Sequence, residues 1–147
     1  MNLTPPGNLC YGPVNLIFDN FVRVEPGCQL VSFYHFKISI KDGVIVGHIN
    51  FKVGKTEHIT QYAGHIGYGV LPEYRGNSYS YYACNAIQPF VKMIFDKVII
   101  TSDPGNFASL KTIEKLNTKF INEVVIPEDD PSYSGGLKIK KRFVWEL

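Results

Sequence analysis

The feature that most constrains the fold is a change from a strand pattern to a helix pattern around Arg75. An apolar stretch ends at residues 69–72, a polar bend follows at residues 74–80, and an apolar helix pattern begins beyond it. Such a junction brings together unpaired backbone N–H groups, the positive end of a helix dipole and a guanidinium group. The sequence therefore predicts an anion site at this bend, and a pyrophosphate group fits that description.

The spacing of apolar residues predicts an α/β or α+β domain built around one mixed sheet. Alternation in two segments joined by Lys41-Asp42-Gly43 is typical of a hairpin. In chain order the predicted elements are strands at 31–40, 44–53 and 61–70, a helix at 79–94, a strand at 97–102, a helix capped by Asn106 that stops at Asn117, and strands at 120–126 and 137–145. Residues 1–30 are rich in proline and glycine, so we expect an irregular lead-in there, with any regular element within 14–24.

Composition narrows the class of protein. The chain has 147 residues, of which 45% are hydrophobic and 19% are charged, as expected for one globular domain. A net charge of +2 is too small to predict nucleic-acid binding. No apolar run approaches the roughly 20 residues that cross a bilayer, so we expect no membrane insertion. Three cysteines without paired spacing favour a reducing, cytoplasmic location and argue against a metal site.

Two segments together resemble the GNAT superfamily of acyl-CoA-dependent N-acyltransferases. That family carries Arg/Gln-x-x-Gly-x-Gly/Ala between its fourth strand and the following helix. Arg75 fills the first place here, while Ser78 and Ser80 stand where the family has glycine and glycine or alanine. Residues 103–109 are similar to the family's Asn-x-x-Ser/Ala segment, which opens the next helix beside the pantetheine arm of the cofactor. The likeness extends from about Phe33 to Trp145.

The resemblance implies a fold and a cosubstrate. The fold is a GNAT-like, mixed and mostly antiparallel central sheet with flanking helices and a splayed strand pair at the cofactor site. Residues 1–147 would form a single acyl-CoA N-acyltransferase domain, a monomer or a homodimer, that uses acetyl-CoA. The cofactor-binding residues carried over from the family are Val70, Leu71, Arg75, Gly76, Asn77, Ser78, Tyr79, Ser80, Asn106 and Ser109.

These residues have distinct expected roles. The N–H groups of the bend would hold the pyrophosphate, with Asn77 tolerating a left-handed conformation and Ser78 capping the helix. Val70 and Leu71 would pair with the amides of pantetheine. An amide near Val70 would point at the thioester oxygen, where one donor contributes about 2.7 to 4 kcal/mol to transition-state stabilisation.

The implied reaction is direct transfer of the acetyl group to a primary amine, with no covalent enzyme intermediate. Relatives use a Glu or His on the strand before the bend as a base, but strand alternation places neither type on the face of Val70, and His65 is expected to be structural. The place of the family's acidic tyrosine is Ile113. Tyr68 and Ser109 remain as candidate catalytic residues, although both could simply pack or cap.

Two alternatives from other functional classes stay open. One is a non-catalytic acyl-CoA-binding or sensing module, suggested by Ile113 and by the missing base. The other is an interaction domain without a cofactor. Release of CoA in the presence of amines distinguishes an enzyme from a sensor, and stabilisation of the fold by CoA distinguishes both from an interaction domain.

Overall fold

Ten regular elements follow one another in the computed structural model, which describes residues 3–23, 32–136 and 138–147. The strands are β1 (Cys10–Tyr11), β2 (Val14–Val22), β3 (Phe33–Ser39), β4 (Ile45–Lys52), β5 (Ile66–Val70), β6 (Lys97–Ser102), β7 (Lys119–Val125) and β8 (Ile139–Glu146). The helices are α1 (Tyr79–Lys92) and α2 (Phe107–Lys115). None of the helices in these ranges has both the length and the apolar character needed to span a bilayer.

The strands form two antiparallel sheets. The first has the order β1-β2-β3-β4-β5 and the second has the order β6-β8-β7. The hairpin of β3 and β4 is confirmed, and its turn contains Asp42 and Gly43 at φ values of 65° and 73°. The mixed α/β class and the mostly antiparallel sheet predicted from the sequence are also confirmed.

Helix α1 covers one face of the first sheet and forms the core with it. Its side chains at Ala83, Ile87 and Phe90 are fully buried. The Phe90 ring lies 4.9 Å from the Tyr34 ring and 5.9 Å from the Phe51 ring, both in edge-on contacts. Aromatic contacts of this kind add to the free energy gained from burial. They fix α1, and hence its N-terminus, against the first sheet.

The two sheets separate between β5 and β6. At the start of β5 the N–H of His65 donates to the carbonyl of Ile99 at 2.7 Å, and the N–H of Ile99 donates to Nδ1 of His65 at 3.0 Å. Beyond this point the described strand pairing places β5 and β6 in different sheets. The result is a splayed strand pair, as predicted, with the sheet divided in two.

Two sequence predictions are wrong in detail. The strand predicted at 61–70 begins only at Ile66, because His58–Ala63 forms a wide helical turn that Gly64 ends at φ 74°. In the lead-in, β2 lies within the range 14–24 expected for a regular element, but its nine residues pair with β3 and make it longer than expected. The two-residue strand β1 was not predicted. Residues 1–2, residues 24–31 and Leu137 lie outside the described residues.

Candidate functional site

A cleft of about 560 Å³ opens where β5 and β6 diverge, between the end of β5 and the N-terminal parts of α1 and α2. It brings together nearly all the site residues predicted from the sequence. The lining residues are Tyr68, Gly69, Val70, Tyr74, Arg75, Gly76, Asn77, Ser78, Tyr79, Ser80, Asn106, Ala108, Ser109, Lys111, Thr112 and Lys115.

The edge of β5 offers backbone groups to this cleft. The N–H of Leu71 donates to the carbonyl of Val46 on β4 at 2.8 Å, and Val70 is the register partner of Gly47. Because backbone groups of successive strand residues point to opposite edges, the N–H and C=O of Val70 point away from β4 and into the gap. Nε of Arg75 donates to the Val70 carbonyl at 3.1 Å. The N–H of Val70 therefore remains directed at the cleft.

Leu71, which the resemblance assigned to cofactor binding, does not line the cleft. Its N–H is bonded to Val46, and its carbonyl accepts a hydrogen bond from the N–H of Tyr74 at 2.9 Å. Its side chain is exposed and does not line the cleft. An amide chain laid along this edge would consequently pair with Val70 and not with Leu71.

In the bend after β5, the left-handed conformation is not taken by the residue that the sequence predicted. Gly76 and Ser78 have φ values of 89° and 60°, whereas Asn77 does not have a positive φ. The Ser78 side chain makes no capping bond to α1, and its hydroxyl accepts a hydrogen bond from Nζ of Lys115 at 2.8 Å. The side-chain amide of Asn77 donates to the carbonyl of Tyr74 at 3.0 Å. Hydrogen bonds of the Asn77 and Ser78 side chains thus hold the bend. The glycine that the family has at the place of Ser78 could not form such a bond.

Backbone N–H groups at the start of α1 are available to a ligand. The first bond of the helix runs from the N–H of Tyr82 to the carbonyl of Ser78 at 3.1 Å, so Tyr79 and Ser80 precede any residue with an intrahelical acceptor. Among the described residues, no acceptor is found for the N–H groups of residues 76–80. Together with the positive end of the helix dipole, they form a site suited to phosphate oxygens.

Three positively charged side chains line the cleft, and two of them are not among the site residues predicted from the sequence. Arg75 was predicted, whereas Lys111 and Lys115 come from α2. Nζ of Lys115 also lies 5.6 Å from the centre of the Tyr81 ring. The four-residue spacing of the two lysines on α2 places them on one helix face, which is the signal that could have identified them. No carboxylate or imidazole is found among the lining residues, so the described cleft is positively charged.

The two candidate catalytic residues meet in this cleft. The hydroxyl of Tyr68 lies 3.0 Å from the hydroxyl of Ser109. Burial raises the pKa of Tyr68 well above its usual range, Cys84 adds to the rise, and the bond with Ser109 opposes it. The phenol is therefore protonated at neutral pH and can donate a hydrogen bond, but it cannot serve as a base there.

Helix α2 is positioned as its sequence predicts. Oδ1 of Asn106 accepts a hydrogen bond from the N–H of Ser109 at 3.2 Å, and Asn117 ends the helical segment at φ 59°. Ile113, at the place of the family's acidic tyrosine, is 1% exposed and belongs to the hydrophobic core. That position consequently faces away from any group in the cleft.

His65 has a structural role, in line with the interpretation of the sequence. Its ring is buried, with Nε2 bonded to the carbonyl of Gly54 at 3.0 Å and Nδ1 accepting from the N–H of Ile99. Burial is the main cause that lowers the pKa of its imidazole. The neutral ring thus joins the two sheets at the point where they separate.

Comparisons with known proteins agree with this geometry. A sequence profile described as an acetyltransferase (GNAT) domain matches residues 19–119, which is more than half of the chain. No curated protein matches the sequence.

Three solved structures show the same fold. A GNAT-family acetyltransferase from Bacillus anthracis is 23% identical, with a TM-score of 0.59 over 76% of this chain and 65% of that one. The microcin C7 self-immunity acetyltransferase MccE, solved with acetyl-CoA and AMP, is 16% identical, with a TM-score of 0.60 over 78% and 61%. A ribosomal-protein-S5-alanine acetyltransferase from Vibrio fischeri is 19% identical, with a TM-score of 0.59 over 78% and 64%. The chain spans less than two thirds of the length of each.

Proposed function

Because the chain belongs to the GNAT acetyltransferase family, we propose that it transfers an acetyl group from acetyl-CoA directly to a primary amine of a small molecule, peptide or protein. One observation carries the proposal. The inward-facing N–H of Val70 and the open N–H groups of residues 76–80 line the same cleft. A thioester with an amide-containing arm and a pyrophosphate matches that combination of donors.

The residues of the cleft fit coenzyme A. The N–H groups of residues 76–80 would bind the pyrophosphate oxygens, as at other helix N-termini. Arg75, Lys111 and Lys115 would balance the negative charges of the phosphates. None of the described residues that line the cleft is acidic, so no carboxylate there competes with the phosphates for these cations. The edge of β5 at Val70 would pair with the pantetheine amides.

The chemistry that we assign to this chain is hydrogen-bond donation to the reacting groups of the thioester. Acetyl-CoA supplies the activated acetyl group. The N–H of Val70 would donate to the thioester oxygen, where negative charge develops as the new C–N bond forms. The Tyr68 hydroxyl would donate to the sulfur as the C–S bond breaks. Ser109, 3.0 Å away, orients that hydroxyl. The attacking nitrogen would lose its proton to water, and the thiolate would leave while hydrogen-bonded to Tyr68.

The choice of acceptors follows from the family and from its neighbours. One of the solved relatives is a ribosomal-protein-S5-alanine acetyltransferase. Peptide N-termini therefore belong in the set of amines to be tested, beside small primary amines and aminoglycosides.

A second candidate is a non-catalytic acyl-CoA-binding module. It is favoured by one observation, namely that no carboxylate or imidazole is found among the residues lining the described cleft. Such a protein would bind CoA without releasing thiol when amines are added.

We propose a cytoplasmic location. The exposed Cys10 and the buried Cys84 are both free thiols. Free thiols are typical of reducing compartments.

The test measures release of the CoA thiol from acetyl-CoA in the presence of each amine class, with a reaction lacking amine as the baseline. Amine-dependent release above the baseline supports the proposal. Binding of CoA without release by any amine favours the sensor. Absence of both binding and release contradicts the assignment of the cleft.

A further inference from the structure

Two segments that connect strands meet on the face of the second sheet opposite the buried side chains of Val98 and Ile100. One is the turn His58–Ala63, which leads into β5 of the first sheet. The other is the loop of residues 127–136, between β7 and β8 of the second sheet. The turn packs against β6 and β8. It therefore links the two sheets on that face.

The turn lies near the end of β6 at which the cleft opens. The hydroxyl of Thr101 donates to the carbonyl of Tyr62 at 2.8 Å, and Thr101 is nearer than Ile99 to the end of β6 that leads to α2. Gly64, at φ 74°, then returns the chain to the start of β5. A Cβ built on Gly64 would lie 3.0 Å from the backbone nitrogen of Thr101. The turn is thus continuous with β5 and is held directly against β6.

A buried hydrogen bond joins the turn to the loop. Nδ1 of His58 lies 3.0 Å from each carboxylate oxygen of Asp130, and the two side chains are only 12% and 6% exposed. A carboxylate only accepts, so Nδ1 of His58 is the donor. Oδ2 of Asp130 also accepts a hydrogen bond from the N–H of Ser132 at 2.8 Å. Hydrogen bonds to a carboxylate are stronger where water is excluded, so this pair fixes the loop to the turn.

A second side chain of the second sheet holds the same turn. Arg142 on β8 is 9% exposed, and its Nε donates to the carbonyl of Thr60 at 2.9 Å. Its Nη1 donates to Oδ1 of Asn122 on β7 at 2.9 Å. The turn is therefore bonded to side chains from β6, from β8 and from the loop that joins β7 to β8.

These contacts bear on the cleft because the two sheets separate beside them. Hydrogen bonds join the sheets at His65 and Ile99, and the hydroxyls of Tyr68 and Ser109 meet across the cleft at 3.0 Å. Tyr68 follows His65 in the same short strand. A shift of the second sheet relative to the turn would therefore change the distance between β5 and α2, which form opposite sides of the cleft.

We propose that the contact between His58 and Asp130 is a positioning contact that fixes the second sheet against β5 and so sets the width of the cleft for coenzyme A. Neither residue lines the cleft, so the pair acts on the cofactor only through the position of the sheets. This inference rests on the proposed function. Because coupling between sites is reciprocal, bound CoA stabilises the pair as much as the pair favours bound CoA.

Substitutions of His58 test the proposal through CoA affinity. His58→Leu removes the N–H donor, whereas His58→Asn keeps a donor near the place of Nδ1. We expect the dissociation constant for CoA to rise at least about fivefold in His58→Leu, the lower end of typical coupling between two sites, and to recover in part in His58→Asn. Asp130→Ala should match His58→Leu, and the double variant should bind no more weakly than either single variant. Calorimetric titration measures these affinities at a temperature at which circular dichroism shows each variant folded.

His35→Leu is the matched control. Nδ1 of His35 lies 3.2 Å from Oδ2 of Asp19, so this variant also breaks a contact between a histidine and an aspartate. Those two residues lie on β3 and β2, which both belong to the first sheet. CoA affinity in His35→Leu should equal that of the wild type. A loss of affinity as large as that in His58→Leu would assign the effect to lowered stability and overturn the inference.

Hydrogen exchange tests the coupling in the wild type, without any substitution. Bound CoA should slow the exchange of backbone N–H groups in the loop of residues 127–136, including that of Ser132, although this loop does not line the cleft. Unchanged exchange in the loop, or wild-type CoA affinity in folded His58→Leu, would overturn this inference alone. Absence of CoA binding by the wild type would instead contradict the proposed function.

Discussion

The hydroxyls of Tyr68 and Ser109 lie 3.0 Å apart, although the residues are 41 positions apart in the chain. Tyr68 belongs to β5 in the first sheet, and Ser109 lies on α2, which follows β6 of the second sheet. Their contact therefore bridges the cleft at the place where the sheets separate. It couples the geometry of the site to the relative position of the two sheets.

Removing the phenolic hydroxyl tests the donor assigned to the sulfur. In Tyr68→Phe we expect kcat to fall about 100-fold, within the range for a lost proton donor, while KM for acetyl-CoA stays the same. Ser109→Ala leaves the phenol in place, so we expect a smaller fall in kcat. Steady-state kinetics of thiol release measures both, and a Tyr68→Phe enzyme with wild-type kcat would remove Tyr68 from the mechanism.

The left-handed conformation of Ser78 predicts a difference between two substitutions. Glycine and alanine both remove the hydroxyl that binds Lys115, so they differ only in Cβ. Since φ is 60° at this position, Ser78→Gly should exceed Ser78→Ala in free energy of unfolding by about 1 kcal/mol. Urea denaturation measures the difference. Equal stability of the two variants would show that the bend relaxes around residue 78.

The neutral state of His65 predicts a dependence of stability on pH. Burial lowers the pKa of its imidazole below the usual 6.5, so the folded protein binds fewer protons than the unfolded chain just below that pH. The free energy of unfolding should therefore decrease as the pH falls below about 6.5, by at most about 1.4 kcal/mol per pH unit.

Burial of the ring is the cause of the lowered pKa, and a protonated Nδ1 would in addition lose the hydrogen bond that it accepts from Ile99. His65→Gln should be less stable than the wild type at pH 7.5 and should lack this contribution to the acidic decline. Urea denaturation at pH 7.5 and 5.5 compares them. Identical acidic declines in both proteins would assign the effect to other groups.

Local signals in the sequence predicted much of the site, and tertiary contacts decided the rest. The bend at Arg75 and the Asn106 cap depend on residues that are adjacent in the sequence, so the sequence pattern was sufficient to predict them. The strand expected at 61–65 was lost because the turn His58–Ala63 packs against β6 and β8, a contact between distant segments. The spacing of Lys111 and Lys115 places them on one face of α2, but only the packing of α2 beside the bend shows that this face lines the cleft.

Ile113 is buried and stands at the place of the family's acidic tyrosine, which gives a prediction for introducing a tyrosine there. Ile113→Tyr adds volume and a hydroxyl to a core position, so we expect a loss of about 1 to 3 kcal/mol in the free energy of unfolding and no gain in turnover. Ile113→Val, which only removes a methylene, should lose about 1 kcal/mol. Faster thiol release by Ile113→Tyr would show that this position can face the cleft.

Binding of CoA to the cleft is the central claim, and calorimetric titration of CoA tests it most directly. The account predicts that the wild type binds CoA and that Arg75→Glu binds it at least about tenfold more weakly, because one charge-assisted contact is worth about 1.5 to 3 kcal/mol. Lys97→Glu carries the same charge change at an exposed residue that begins β6 and does not line the cleft, so it should bind like the wild type. No binding by the wild type, or equal affinity in Arg75→Glu, would contradict the account.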